Sequence, residues 1–408
     1  MLNTADLFTT AGEPIDVIQT GELNEHAGPD FFNARIRIGD TLWAGNVEVH
    51  VRSSDWYRHD HQGDNAYSNI ILHIVYNADS MVHDRNGKEI PVLELTGRFD
   101  PGLWEKYEEL MRSRQWIPCL KSLPDVDIII VNNWLGRMAV ERLEKRAKLI
   151  LSSLQRSNFN WEETFYRYLT KSFGFGINTV PFELLAKSLP LTLIERYREN
   201  AIQEEALLFG QAGLLEKQYE DDYPAHLRKE YLHLKNKYLL APMEGHLWKF
   251  LRLRPVNFPT IRIAQLAALF RKSPRLFANI LECKYLHEVE DIFKVNTSPY
   301  WSDHYVFDKH APVRKKRLGK TSVQLVIINT VVPFLFAYGK ERGDQDRCER
   351  ALRFLEDIPA EANAIISRWN QAGITPFSAM DSQALLELRN SYCIPKRCLQ
   401  CAIGKYLM

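Results

Sequence analysis

The sequence predicts an α+β fold: a β-rich mixed-sheet domain over residues 1–115, then a mainly α-helical region over residues 116–408 with a cysteine-rich tail. Three observations carry this. Ala34, Ile36 and Ile38 alternate with Arg35 and Arg37, Gly39-Asp40 turns the chain, and Trp43, Val47, Val49 and Val51 rise again, which is the period-2 signature of a β-hairpin. Residues 69–76, NIILHIVY, have the β-branched density of a buried strand. Beyond Asp100 the apolar residues recur every three or four positions, as Leu135, Met138, Leu143, Ala147, Ile150, Leu151 and Leu154 do, with charged residues on the other face of an amphipathic helix.

In chain order, residues 1 to about 25 read as a helical or irregular lead-in that brings Glu22 and Glu25 to the Gly28-Pro29 turn. The hairpin follows, and then a polar loop with His59, His61 and Asp64. The strand at 69–76 leads through the turn Asp84-Arg85-Asn86-Gly87 to a further strand at 89–95. Helical periodicity resumes at 161–169, 181–188, 191–209, 224–239 and 260–270, each bounded by Gly, Pro or Asn. A basic loop at 301–320 precedes an apolar helix at 322–338, and helices at 344–356, 359–372 and 378–390 lead to the terminal cysteines.

With 45% hydrophobic and 25% charged residues the chain has an ordinary globular composition, which excludes the disordered and fibrous classes. A net charge of +1 provides no global field for a nucleic acid or membrane, so any such patch must be local. The first residues carry acids and lack both a basic region and a continuous apolar run, so no signal peptide is expected. The longest apolar stretch, residues 326–336, is interrupted by Asn329 and Pro333 and falls short of about 18 residues, so no membrane association is expected. These features point to the cytoplasm. Six cysteines are too few for a disulfide scaffold, and three of them crowd into residues 393–401.

The chemistry concentrates between Gly28 and His61. Asp30 enters the hairpin, and Glu48 and His50 sit two apart on its second strand, so both side chains leave one face of the sheet. Carboxylates that converge can share a divalent cation beside a basic group that orients water. In order and spacing this resembles the PD-(D/E)xK nuclease superfamily. The resemblance implies that Asp30 and Glu48 bind Mg²⁺ or Mn²⁺, that Glu22 or Glu25 is the upstream acid, and that His50 stands where the family has lysine. Around it, His50, His59, His61 and His73 fall within 24 residues beside Asp55, Asp60 and Asp64, a donor set suited to Zn²⁺, Mn²⁺ or Fe²⁺.

At the carboxyl end Cys393, Cys398 and Cys401 form C-x4-C-x2-C, whose second half is the tight chelating turn of zinc and iron–sulfur sites. Lys396 and Arg397 are expected to favour thiolates. Cys119 is the first choice for a fourth ligand, with Cys283, Cys348 or a histidine as alternatives. The arrangement resembles RecB-type nucleases with an iron–sulfur cluster, although there the early cysteine precedes the nuclease strands and here Cys119 follows them. In the basic loop, Arg314, Lys315, Lys316 and Arg317 are candidates for contacting the phosphates of a nucleic acid.

GPDF, ARI, GNVEVH, SSDWYRHDH, IILHIVYN, FGFGINTVPFELLA, INTVVPFLFAYG and the closing cysteine motif together resemble an uncharacterised bacterial family, domain of unknown function 2851, over essentially the whole chain. The resemblance implies no activity. Three functions are therefore expected from the residues: a metal-dependent nuclease, a nucleic-acid- or protein-binding protein with structural metals, and a small-molecule hydrolase using His50, His59, His61 and Asp64.

Overall fold

A computed structural model describes residues 5–24, 26–100 and 102–408; Glu25, one of the two expected upstream acids, lies outside them. The chain divides into two compact units, one up to Arg114 with Leu407 and Met408, the other Gln115–Tyr406. The fold is α+β.

In the first unit β1 (Leu7–Phe8), β2 (Pro14–Gln19), β3 (Glu22–Leu23), β4 (Phe31–Ile38), β5 (Thr41–Arg52), β6 (Ile70–Asn77) and β7 (Val92–Glu94) form one mixed sheet. Its order is β1-β2-β4-β5-β6-β7, with β3 also paired to β4. β4 and β5 are antiparallel, whereas β5–β6 and β6–β7 are parallel. A parallel pair needs a crossover, and the β5–β6 crossover contains the short helix α1 (Asp55–Arg58) and the histidine loop. Helix α2 (Gly102–Arg112) follows the sheet.

The lead-in is thus stranded and not helical. β2 hides itself from pattern reading because it buries only Ile15, leaving no alternation to detect. Gly21 explains why β2 and β3 are separate: at φ +85° it brings its backbone so close to β4 that a Cβ would lie 2.5 Å from the Phe32 carbonyl oxygen.

The sheet has two working faces. Ile15, Ala34, Ile36, Ile38, Val47, Leu72 and Leu93 make one apolar layer, while Trp56, Tyr67, Val75, Val82, Ile90 and Val92 make another. Alternation along β5 and β6 sends Glu48, His50 and His73 to the second layer.

The second unit is helical: α3 (Ile128–Arg156), α4 (Trp161–Ser172), α5 (Thr179–Ser188), α6 (Leu191–Arg196), α7 (Ala201–Gln211), α8 (Asp222–Tyr238), α9 (Pro259–Lys272), α10 (Leu276–Glu282) and α11 (Leu286–Ile292). A small hairpin, β8 (His304–Val306) and β9 (Lys309–His310), precedes α12 (Lys320–Val326), α13 (Val332–Arg342), α14 (Gln345–Asp357), α15 (Ala364–Gln371) and α16 (Ala379–Leu388). Helix α3 turns Trp134, Met138, Leu143, Ile150 and Leu154 inward and packs on α13 and α16. The single helix expected at 191–209 is two, because Asn200 caps α7 by accepting the Gln203 N–H at 3.2 Å.

As expected, the apolar helix spanning 322–338 runs on through Pro333. A π-turn over Ile327–Val331 precedes it and absorbs the hydrogen bond that proline cannot donate. The continuous helix Lys320–Arg342 is consequently long and apolar enough to cross a membrane, but most of it is buried within the unit.

Candidate metal centre

Glu48 and His50 reach one point because β5 continues past its hairpin partner to pair with β6, putting Glu48 beside His73. Asp30 reaches it by a different device. From Ile38 back to Ala34, β4 pairs in regular register, but Phe31 faces Val47, so three steps on β4 match two on β5. The extra residue is a bulge at Asn33, at φ +58°, whose N–H donates to Asn46 Oδ1 at 3.3 Å. Strict alternation from Ala34 would send Asp30 into the apolar layer; the bulge puts it opposite Glu48 instead. The two acids then clasp each other's strand: Asp30 N–H donates to Glu48 Oε2 at 3.1 Å, and Val49 N–H donates to Asp30 Oδ2 at 3.0 Å.

The crossover supplies the other histidines. Its start is tied down at Asp79, which accepts Ser53 Oγ at 3.0 Å, Ser54 N–H at 2.8 Å and Ser54 Oγ at 2.7 Å. Trp56 fills the core below, its indole N–H donating to the His83 carbonyl at 3.2 Å. Asp60, at φ +58°, reverses the backbone between His59 and His61. His61 is stacked on Tyr67 at 3.8 Å and flanked by Trp56 at 5.3 Å, which fixes its ring.

Ring nitrogens of His50, His59 and His61 lie within 4.8 Å of one another. The edges are short: His50 Nε2 to His59 Nδ1 is 3.2 Å, His61 Nε2 to Glu48 Oε1 is 3.4 Å, and His50 Nε2 to Glu48 Oε1 is 3.5 Å. Donors about 2 Å from a tetrahedral ion stand roughly 3.3 Å apart, so these spacings fit one cation. His73, fully buried, stands behind them with Nε2 at 2.8 Å from His50 Nδ1. When His50 carries its proton on Nδ1, its Nε2 lone pair faces Glu48 and the other rings.

The electrostatics agree with a set of neutral lone pairs. Burial, with Asp30 alongside, pushes the Glu48 carboxyl up to about 7. Burial and the neighbouring imidazoles push His50 down to about 4 and His73 down to about 3, and lower His61 as well.

The remaining candidates are distributed as follows. Glu22 is exposed on β3 opposite Phe32, whereas the groups that contact Glu48 are the Asp30 backbone N–H and the rings of His50 and His61. Asp64 instead caps the next turn, accepting Ala66 N–H at 2.8 Å, so Glu48 and not Asp64 stands with the histidines. Lys316 does not reach outward: it is buried over the Tyr305 ring and donates to the carbonyls of Ser302 at 3.0 Å and Arg314 at 3.2 Å. Arg314, Lys315 and Arg317 are exposed, with Arg317 donating to Asn296 Oδ1.

In the helical unit Cys119 meets the three tail cysteines. Burial and repulsion from neighbouring thiols push Cys119 up to about 12 and raise Cys393 and Cys398, and burial raises Cys401. Lys396 opposes this only at Cys398 and is outweighed, so without a metal the thiols are protonated, contrary to the expected thiolates. The C-x2-C loop folds tightly onto Gly404, where a Cβ would lie 2.3 Å from the Cys398 carbonyl oxygen. Cys283 and Cys348 bond elsewhere, to the Asn279 and Phe336 carbonyls.

Replacing His73 with asparagine is expected to weaken divalent-metal affinity about 10–100-fold, the usual cost of losing an orienting partner of a ligand, with the fold retained. Isothermal titration of the stripped protein measures it. Unchanged affinity would make His73 a packing residue only.

The chain belongs to a family described as Protein of unknown function (DUF2851), whose sequence signature matches residues 1–364. No curated protein and no solved structure matches it.

Proposed function

We propose, for this member of a family without an assigned activity, that the sheet unit is a metal-dependent hydrolase whose single divalent cation is held by Glu48, His50, His59 and His61. The observation that supports it is a chain of three contacts at 3.2–3.5 Å that links His59 to His50, His50 to Glu48 and Glu48 to His61, with the three ring nitrogens within 4.8 Å of one another. Three imidazoles with one carboxylate favour Zn²⁺, Mn²⁺ or Fe²⁺ over Mg²⁺. Such an ion supplies Lewis acidity to a carbonyl or phosphoryl oxygen and makes water a stronger acid at neutral pH. The chain does the rest: His73 fixes the His50 tautomer, Trp56 and Tyr67 hold His61 in place, and Asp30 Oδ1 accepts a proton beside the centre.

A nuclease is the second reading, and the Asp30–Glu48 clasp supports it, because paired acids on adjacent strands suit phosphodiester cleavage. The exposed Arg314, Lys315 and Arg317 are then phosphate contacts. The test is to load the stripped protein with Zn²⁺, Mn²⁺ or Mg²⁺ and assay a bis-aryl phosphodiester, an aryl ester, and single- and double-stranded DNA and RNA. Hydrolysis lost in His61→Ala supports the centre. Cleavage confined to nucleic acid with Mg²⁺, and insensitive to His61→Ala, would replace it with the two-acid nuclease. No hydrolysis of any substrate would leave a metal-stabilised binding protein.

Metal affinity should depend on pH through Glu48. Its carboxyl, raised to about 7, is protonated below that value, so a cation must displace one proton. Affinity therefore falls about tenfold per unit as pH drops below about 7 and levels off above it. His50, lowered to about 4, adds no proton competition across that range. A flat affinity between pH 5.5 and 7 would remove Glu48 from the ligand set.

We assign a second metal to Cys119, Cys393, Cys398 and Cys401. Four mutually interacting thiols, one of them ahead of the C-x4-C-x2-C tail, suit an iron–sulfur cluster, with Zn²⁺ as the alternative. Anaerobic purification, with iron, sulfide and visible absorption measured, tests it; colourless protein with one zinc would overturn the cluster.

A further inference from the structure

The hairpin β8–β9 and the start of α8 bring together a second set of imidazoles and acids with no role in the sheet centre. Ring nitrogens of His304 and His310 and a carboxylate oxygen of Asp221 lie within 4.8 Å of one another. His304 is only 3% exposed, and its Nδ1 faces the Tyr300 carbonyl at 3.0 Å and Asp303 Oδ1 at 2.9 Å. Both are acceptors, so the ring proton sits on Nδ1. That leaves Nε2 as a buried lone pair with no hydrogen-bond partner among the described residues, 3.3 Å from Asp221 Oδ2. Two acceptors aimed at each other at this distance repel unless a cation lies between them.

Asp221 supplies an independent sign. It is the N-cap of α8, where an aspartate ordinarily accepts an N–H of the first turn, yet its side chain makes no capping bond. The carboxylate is turned away instead, accepting the Tyr300 hydroxyl at 2.7 Å and facing His304. The surroundings hold it there: Asp308, in the hairpin turn, accepts the N–H groups of Glu220 at 3.2 Å and Asp221 at 3.1 Å. His310 completes the set from the other strand, with Nδ1 on Asp303 Oδ2 at 3.0 Å. One acid, Asp303, thus orients both imidazoles, the arrangement that fixes histidine ligands around metals.

We infer that Asp221, His304 and His310 bind a divalent transition-metal ion of the Zn²⁺ type, which pins the β8–β9 hairpin to the amino end of α8. The donor set, two imidazoles and a carboxylate, matches that class. Its role is structural, since the hairpin strands have only three and two residues and cannot hold their place by pairing alone.

The test is amide hydrogen exchange on the full chain, stripped with chelator and then supplied with Zn²⁺, followed in peptides spanning 219–224 and 300–311. At Zn²⁺ 100-fold above its dissociation constant, openings that release the ion become about 100-fold rarer. Exchange in both peptides should slow to that degree. The protection should vanish in His310→Ala, whose side chain is 76% exposed and whose loss leaves the core intact, and in Asp221→Ala, which removes no cap. It should survive in His59→Ala, which disables only the sheet centre. Equal exchange with and without Zn²⁺, or protection surviving in either His310→Ala or Asp221→Ala, would overturn the site and leave His304 as an imidazolium paired with Asp221 and Asp303.

Discussion

His61→Ala should lose divalent-metal binding at the sheet centre by more than about 100-fold, since even an orienting partner outside the ligand set contributes 10–100-fold. His61 is the informative ligand. Its Nε2 stands 3.4 Å from Glu48 Oε1 and has no other partner among the described residues, so removing the ring deletes a donor without breaking a hydrogen bond. The Tyr67 and Trp56 rings that flank it remain packed on Val75 and Val92. The fold should survive, and circular dichroism with thermal unfolding in chelator checks that it does. Exposed His246→Ala, in the other unit, serves as the control that leaves affinity unchanged. A His61→Ala protein that still binds Zn²⁺ with native affinity would mean that the four donors are a hydrogen-bonded cluster and not a metal site.

Much of this centre was legible in the sequence. Glu48 and His50 share a face by simple alternation, and the density of histidines between His50 and His73 marked where the imidazoles gather. The parallel direction of the β5–β6 pair was not legible, because a continuous apolar run carries no record of its neighbour's direction. Nor was the choice of Glu48 over Asp64. That depends on the left-handed Asp60, which rotates His59 and His61 toward the sheet and leaves Asp64 to cap a turn. In the helical unit, periodicity located the amphipathic helices and the apolar helix through Pro333, but no sequence period announces the π-turn that accommodates the proline.

Arg271→Ala should destabilise the protein by about 3–5 kcal/mol, the cost of leaving a buried charge network without its cation. Glu204 and Glu205, 0% and 1% exposed on α7, are bonded by Arg271 Nε at 2.8 Å and Nη2 at 2.9 Å. Glu205 also accepts the Tyr223 hydroxyl and, at 3.1 Å, Ser298 Oγ, so it keeps partners when the arginine goes. Glu204 does not: its other oxygen already has none.

The loss should grow with pH. Burial outweighs Arg271 and pushes Glu204 up to about 8, against 4.5 for an ordinary glutamate. A folded value above the unfolded one means that the group's contribution is fully present below pH 4.5 and is lost as pH rises through about 8. Without Arg271 the penalty for ionising Glu204 is larger still, so the variant should be hurt more at pH 8 than at pH 5. Urea unfolding at both values measures it. A deficit independent of pH would assign the effect to lost packing of the arginine stem.

A strand has a reading frame of two, and Asn33 is a frameshift written into β4. Deleting that one residue would restore the frame, turning Asp30 toward Ile36 and Val47 and swinging Phe31 toward the histidines. The protein's composition of acids would be unchanged while one of them left the site. The carboxylate beside Glu48 is therefore owed to a backbone irregularity as much as to an aspartate codon. A relative carrying every one of the site's side chains but lacking the extra residue would be expected to present a different surface chemistry.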